Sequence, residues 1–153
     1  MIYNTFKMWL YNNTPINTIE DIPQDTFGFI YITTHIPTGK RYLGKKSLYH
    51  TATKKLGKKE LAEQPITRGR AKTTKQVTKE SDWKTYYGSE EFIKHAIKNK
   101  QHNEFTREIT HFVSSKKLLT YYETKYQFIY SVLESDEWMN TNILGKFYAK
   151  DLA

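Results

Sequence analysis

FGFIYITTHIPTGKRYLG, residues 27–44, holds two runs of aromatic and β-branched side chains on either side of a Pro37-Thr38-Gly39 turn. Such side chains suit a pleated, half-buried surface, and Pro and Gly set the backbone angles of a tight connection. The stretch therefore predicts a β-hairpin with strands at 27–34 and 40–44. Tyr31 and Tyr42 then stand on neighbouring antiparallel strands and can lie side by side. Taken alone, two strand tyrosines do no more than pack and make one hydrogen bond each.

Beyond the hairpin, Lys46 to Glu63 favours helix, interrupted by Gly57, and Pro65 and Gly69 mark a loop that runs through Arg68 and Arg70 to SDWKTYYGS. This region, about 46–84, reads as an insertion after the second strand. Trp83, Tyr86 and Tyr87 at its end read as anchors to the core, with base stacking as the alternative. Ser89-Glu90-Glu91 predicts a helix start, and Phe92, Ile93, Ala96 and Ile97 give that helix an apolar face. EFTREITHFV, 104–113, predicts a third strand. From Ser115 to about Leu133 a long helix is predicted, its stripe formed by Leu119, Tyr122, Tyr126, Ile129, Tyr130 and Leu133.

One acid interrupts that stripe. Glu123 lies four residues after Leu119 and three before Tyr126, so it points with the apolar side. Its i+4 neighbour is Gln127, which rules out the usual local ion pair. A carboxylate there either meets a cation from elsewhere in the fold or sits at the margin and reaches water.

The 153 residues fit one domain with one core, read as 1–153 with an extension at 1–26. The fold class expected is α+β, a small three-stranded antiparallel sheet flanked by helices. With no Cys, thiolate zinc clusters, disulfide scaffolds and cysteine nucleophiles are excluded. The N-terminus lacks a basic start followed by an apolar stretch, and apolar runs are short, so the chain is expected to be soluble and cytoplasmic, with no membrane partner. His35, His95, His102 and His111 show no metal-ligand spacing. The formal charge is +8, and Lys40–Lys84 alone carries 14 basic and 4 acidic residues, a net +10. Such a concentrated field suits a phosphate backbone, the alternative being a solvated lysine-rich loop.

The blocks GFIYITTHIPTGKRYLGKKS, W-x-x-Y-Y-G-S at 83–89, Y-Y-E-T-K-Y-Q at 121–127 and N-I-L-G-K-F from Asn142 together resemble the GIY-YIG nucleases, most closely the Seg-type homing endonucleases of tailed phages, over roughly residues 27–148. The resemblance implies a divalent-metal-dependent DNA endonuclease using Mg²⁺ or Mn²⁺, acting in the cytoplasm of a host cell. It implies that Glu123 binds the metal, that Tyr42 and Tyr31 hold the attacking water and the scissile phosphate by their hydroxyls, one of them a candidate general base once the metal lowers the proton affinity nearby, and that Lys45 contacts phosphate. A family asparagine maps to Asn142, with Asn140 close by. Two features depart from the family. Phe29 occupies the first motif's glycine position, and Ala52 stands where a first-helix arginine is expected. That role falls to Arg68 or Arg70, with His50 as an alternative general base. Lys40, Arg41, Lys46, Lys72 and Lys75 are expected to contact DNA. A fold that has lost cleavage and keeps nucleic-acid binding is the alternative. Since no zinc finger or helix-turn-helix is visible, target reading is expected from the insertion, from residues before Phe27 or from a partner chain.

Overall fold

A computed structural model describes residues 8–65 and 68–152. The hairpin is longer than its sequence signals: β3 (Gly28–His35) pairs antiparallel with β4 (Arg41–Ser47), Tyr31 opposite Gly44 and Thr33 opposite Tyr42. The predicted third strand forms as Phe105–Val113, on the other side of β3. Two more strands correct the expected three-stranded sheet to five. Trp9–Tyr11 (β1) lies parallel to Phe105–Val113, and Thr14–Ile16 (β2) folds back on β1. Each has only three residues, too few for a visible alternation. The signal was the connecting pair, Asn12 and Asn13, with φ of 48° and 62°, the left-handed conformation that a two-residue hairpin turn requires and that Asn tolerates.

Alternation along β3 sends Phe29 and Tyr31 to one face and Ile30 and Ile32 to the other. The first face is packed by Trp9, Ile16, Leu48, Trp83 and Ile109, the second by Leu43, Val113, Leu119, Val132 and Trp138. Trp83 is fully buried, and its carbonyl accepts a 2.7 Å hydrogen bond from Trp9 Nε1, so the Trp-x-x-Tyr-Tyr block does anchor to the core.

The segment predicted as helix from Lys46 to Glu63 is instead a strand, β5 (Tyr49–Lys55), followed by one short helix, α1 (Lys58–Ala62). Tyr49–Lys55 is rich in Thr and pairs along its whole length with β6 (Thr74–Glu80), so strand pairing overrides the helix propensity of its lysines. Tyr49–Ser81 forms a second compact unit, while the chain up to Leu48 and from Asp82 forms the first.

Within the first unit, α2 (Glu91–Lys98) buries Ile93 and Ala96 but leaves Phe92 about half exposed. The predicted third strand now takes its place in chain order as β7. The long helix, α3 (Lys116–Ile129), is capped by Ser115 Oγ, which accepts from Leu118 N. It ends before the predicted Leu133, Ser131 taking a φ of 51°. Ile129 and Tyr130 are consequently exposed, and Gln127 takes a buried place on the inner face instead. Short β8 (Asn142–Ile143) and β9 (Phe147–Tyr148) follow, and a 3-10 helix, Ala149–Leu152, closes the described chain. Among the described residues no helix is long and apolar enough to cross a membrane.

Candidate active site

The sheet order is β2-β1-β7-β3-β4, which leaves β4 at an edge with the N–H and C=O groups of Arg41, Leu43 and Lys45 directed away from β3. Each of the three is met by a different device. Arg41 N donates to Glu137 O at 2.9 Å and Arg41 O accepts from Met139 N at 2.7 Å. Leu43 N donates to Asn140 Oδ1 at 3.0 Å, and Asn140 Nδ2 donates to Leu43 O at 2.8 Å, so one side-chain amide does the work of a neighbouring strand. At Lys45 the acid Glu123, brought in by α3, stands beside the strand, its Oε1 3.6 Å from Lys45 Nζ. An edge that could template aggregation is thereby covered, and covering it brings Glu123 to the second tyrosine's strand.

Tyr31 comes from the interior strand β3 and reaches this edge only because Gly44 faces it. A Cβ on Gly44 would stand 2.5 Å from the Tyr31 hydroxyl and 2.9 Å from the Tyr42 ring. The two phenol rings lie 6.3 Å apart, centroid to centroid. Tyr42 shares a 2.6 Å hydrogen bond with Ser89 Oγ. Ser89 was expected to open α2, but the helix cap is Glu90, and the serine is free to hold the tyrosine.

These side chains line one cavity of about 690 Å³. Tyr31, Tyr42, Lys45, Tyr86, Ser89 and Glu123 contribute, together with Gln127, Asn140, Asn142, Glu90 and Glu91. Of the residues expected from sequence, Tyr31, Tyr42, Lys45, Glu123 and Asn142 are therefore brought together. Asn142 is exposed at the rim, where its Oδ1 accepts from Gly145 N at 2.9 Å, whereas Asn140 is buried and grips Leu43. Lys46 lies over the Tyr86 ring and pairs with Asp82 at 2.5 Å, and Arg41 pairs with Glu137 and covers the Trp138 ring. Lys40 is exposed in the β3–β4 turn. None of these three lines the cavity. His50, Arg68, Arg70, Lys72 and Lys75 belong to the second unit, and every residue lining this cavity belongs to the first.

The carboxylate meets its cation. Glu123 is 15% exposed, and Lys45 Nζ lies 3.6 Å from its Oε1 while donating to Thr120 Oγ1 at 3.0 Å. Burial raises the Glu123 carboxyl above its ordinary range, and Lys45 offsets only part of that rise. Both phenols are shifted the same way. Burial raises Tyr31 well above 10, with Tyr42 and Tyr86 adding to it, and burial raises Tyr42 to about 12 against the pull of its Ser89 bond. Gln127, one turn beyond Glu123, is a residue that sequence reasoning passed over. It is buried, and its Oε1 has no hydrogen-bond partner among the described residues. The missed signal was its position, on the same face as an acid already out of place.

Among the described residues no cluster of three acids or histidines could enclose a metal. The donors present are hard oxygens, the Glu123 carboxylate and the unsatisfied Gln127 amide oxygen, in a cavity roomy enough for water. That set fits Mg²⁺ or Mn²⁺, which need few protein ligands and keep much of their hydration.

No curated protein and no solved structure matches the chain. A family model described as "Putative endonuclease segE, GIY-YIG domain" matches residues 9–143, a span that contains every residue of the cavity rim up to Asn142 and both of the strands that precede the hairpin. The chain belongs to the Seg-type GIY-YIG endonuclease family.

Proposed function

We propose that this protein is a divalent-metal-dependent DNA endonuclease whose reaction takes place in the cavity at the β4 edge. The observation that carries the reading is the meeting of Tyr31, Tyr42, Lys45 and Glu123, from three different elements, around one water-accessible space. Hydrolysis bonds a water oxygen to phosphorus as a P–O ester bond breaks, with negative charge gathering on the phosphate oxygens; the water gives up one proton to solvent and the departing ester oxygen takes one up. Glu123 would hold the Mg²⁺ or Mn²⁺. The ion, when bound, supplies positive charge beside the phosphate and lowers the proton affinity of the groups around it. Burial keeps both phenols protonated, so their part is hydrogen bonding. Tyr42 turns its proton to Ser89 and accepts from the attacking water, which directs a lone pair of the water oxygen at phosphorus. Tyr31 donates to a non-bridging oxygen, and Lys45 pairs the charge that develops there.

Such a homing-type enzyme would act in the cytoplasm, where phage and host DNA meet. Supercoiled plasmid incubated with the full chain and Mg²⁺ or Mn²⁺ is expected to be nicked or linearised, and EDTA to stop it. Glu123→Gln and Tyr42→Phe should each lower the cleavage rate by about 10²-fold or more, with DNA affinity within a few-fold of the parent. Intact plasmid with both metals, or undiminished cutting by Glu123→Gln, would overturn the reading. The first outcome with tight DNA binding would instead favour a non-cleaving binding protein, a reading supported by the lack of an arginine among the residues lining the cavity.

A further inference from the structure

The second unit has a construction that packing does not explain. Its ribbon, β5 against β6, pairs Tyr49 with Glu80 at one end and Lys55 with Thr74 at the other. Thirteen of the fourteen strand residues are exposed, Val77 being the exception. Alternation sorts them into two faces. One carries Thr51, Thr53, Gln76 and Thr78, with Lys55 and Thr74 at one end and Tyr49 and Glu80 at the other. The reverse carries His50, Ala52, Lys54, Lys75, Val77 and Lys79. Side-chain contacts agree with this division: Gln76 Nε2 donates to Thr53 Oγ1 at 2.9 Å, and the Thr51 and Thr78 hydroxyls lie 3.3 Å apart. On the reverse side Lys75 pairs with Glu60 of α1.

The Thr/Gln face therefore offers a row of uncharged donors and acceptors to solvent, with no aliphatic side chain on it. A two-stranded ribbon without a buried face is marginal by itself. β-Branched threonines favour the extended chain, but hydroxyls and an amide contribute little to holding it. Their chemistry is instead that of base-edge recognition, where Ser/Thr hydroxyls and Gln amides read donors and acceptors. Charge points the same way. Tyr49–Ser81 holds nine Lys and Arg against three Glu, a net +6 out of the chain's +8. Width selects the groove: strands about 4.8 Å apart fit a B-DNA major groove of about 12 Å but not a minor groove of about 6 Å. The deep, narrow major groove of an RNA duplex does not admit side-chain reading.

We propose that the ribbon is the sequence-reading element of this protein: it lies in the major groove of duplex DNA with Thr51, Thr53, Gln76 and Thr78 toward the base edges, and the unit's lysines neutralise phosphates. This rests on the nuclease reading for its substrate, yet its test does not require cleavage. The full chain, in EDTA, is used to select from a random-sequence duplex DNA library, and affinities are measured against salt. The parent should enrich a defined motif. A variant with Thr51→Val, Thr53→Val and Thr78→Val, which keeps β-branched shape, together with Gln76→Ala, should lose that enrichment while binding random duplex within a few-fold. Lys54→Ala with Lys55→Ala and Lys79→Ala should weaken binding to all sequences and flatten the salt dependence, by about one in log–log slope for each phosphate no longer neutralised. Unchanged circular dichroism checks that the ribbon survives in both variants.

No motif from the parent, or the same motif from the Thr/Gln variant, overturns the proposal. So does equal binding to an RNA duplex or to an acidic polypeptide. A parent that selects a motif but never cuts plasmid refutes the nuclease reading and leaves the ribbon standing. A parent that cuts, with the variant keeping the same target preference, does the reverse.

Discussion

At Glu123 burial and the Lys45 charge pull in opposite directions. Its carboxyl proton is held more tightly in the folded chain than in the unfolded one, since burial outweighs Lys45. Between the ordinary carboxylate range and the raised value, the native state binds more protons, so stability falls as pH rises through that window and stays lower above it. Glu123→Gln removes the penalty while keeping an acceptor for Lys45. Without metal, the variant is expected to melt above the parent at pH 7, each kcal/mol gained being worth roughly 2–4 °C in a chain of this size, and to match it near pH 4. Excess Mg²⁺ should raise the melting temperature of the parent alone, as binding to the native state stabilises it. Differential scanning calorimetry in EDTA and in Mg²⁺ checks both; a parent more stable than the variant at pH 7 in EDTA would mean that Lys45 outweighs burial. The same carboxylate shows how far single residues were legible. Its place in an apolar stripe without an i+4 partner left two readings, a cation from elsewhere in the fold or a margin reaching water, and it is the ion pair that is there. That the cation is Lys45, 78 positions earlier, follows from strand order at a sheet edge, which no local spacing encodes.

Among the elements, the segment after α3 carries little local information and much consequence. β3 and β7 are readable because their alternation is long and their residues β-branched or aromatic. β1 and β2 are three residues each, and β5 was obscured by lysines with good helix propensity, so pairing partners rather than local preference determine them. For the two asparagines, spacing is equally uninformative: they stand two apart, and only the register against Leu43 separates their work. Asn140 is buried with both ends of its amide on the Leu43 backbone, while Asn142 is exposed and holds only Gly145 N. Asn140→Ala leaves a buried N–H and C=O unsatisfied and is expected to cost roughly 1–3 kcal/mol. It should also loosen the edge that holds Lys45 opposite Glu123. Asn142→Ala should stay within about 0.5 kcal/mol of the parent, as surface substitutions do. Urea unfolding of the two variants distinguishes them, and equal losses would show that the Asn140 bridge contributes nothing beyond a surface turn.

For the molecule as a whole, charge and core are divided between two units. The first, outside Tyr49–Ser81, is close to neutral, with 15 basic and 13 acidic residues, and it holds all three buried apolar clusters. The second carries most of the positive charge and, among the described residues, no buried one. Of the net +10 that the sequence concentrates in Lys40–Lys84, +6 belongs to a unit with its own strands. The join is cleanly placed, because Tyr49 and Glu80 are paired partners, so the excised segment leaves and re-enters at facing residues about 5 Å apart. On either side of the join, Leu48 N donates to Phe27 O and Lys46 pairs with Asp82, contacts that lie within the first unit. Replacing Tyr49–Ser81 by a short Gly-Ser connection should therefore leave a folded, cooperatively melting protein, since no part of the three clusters is removed. It should bind duplex DNA far more weakly and with a shallower dependence on salt, nine cations having been removed. If cutting belongs to the first unit alone, the shortened chain at high concentration still nicks plasmid in Mg²⁺, without site preference. Loss of cooperative melting would instead mean that the ribbon contributes to the first unit's core, and retention of full affinity would move the DNA contacts to the β4 edge and the β3–β4 turn.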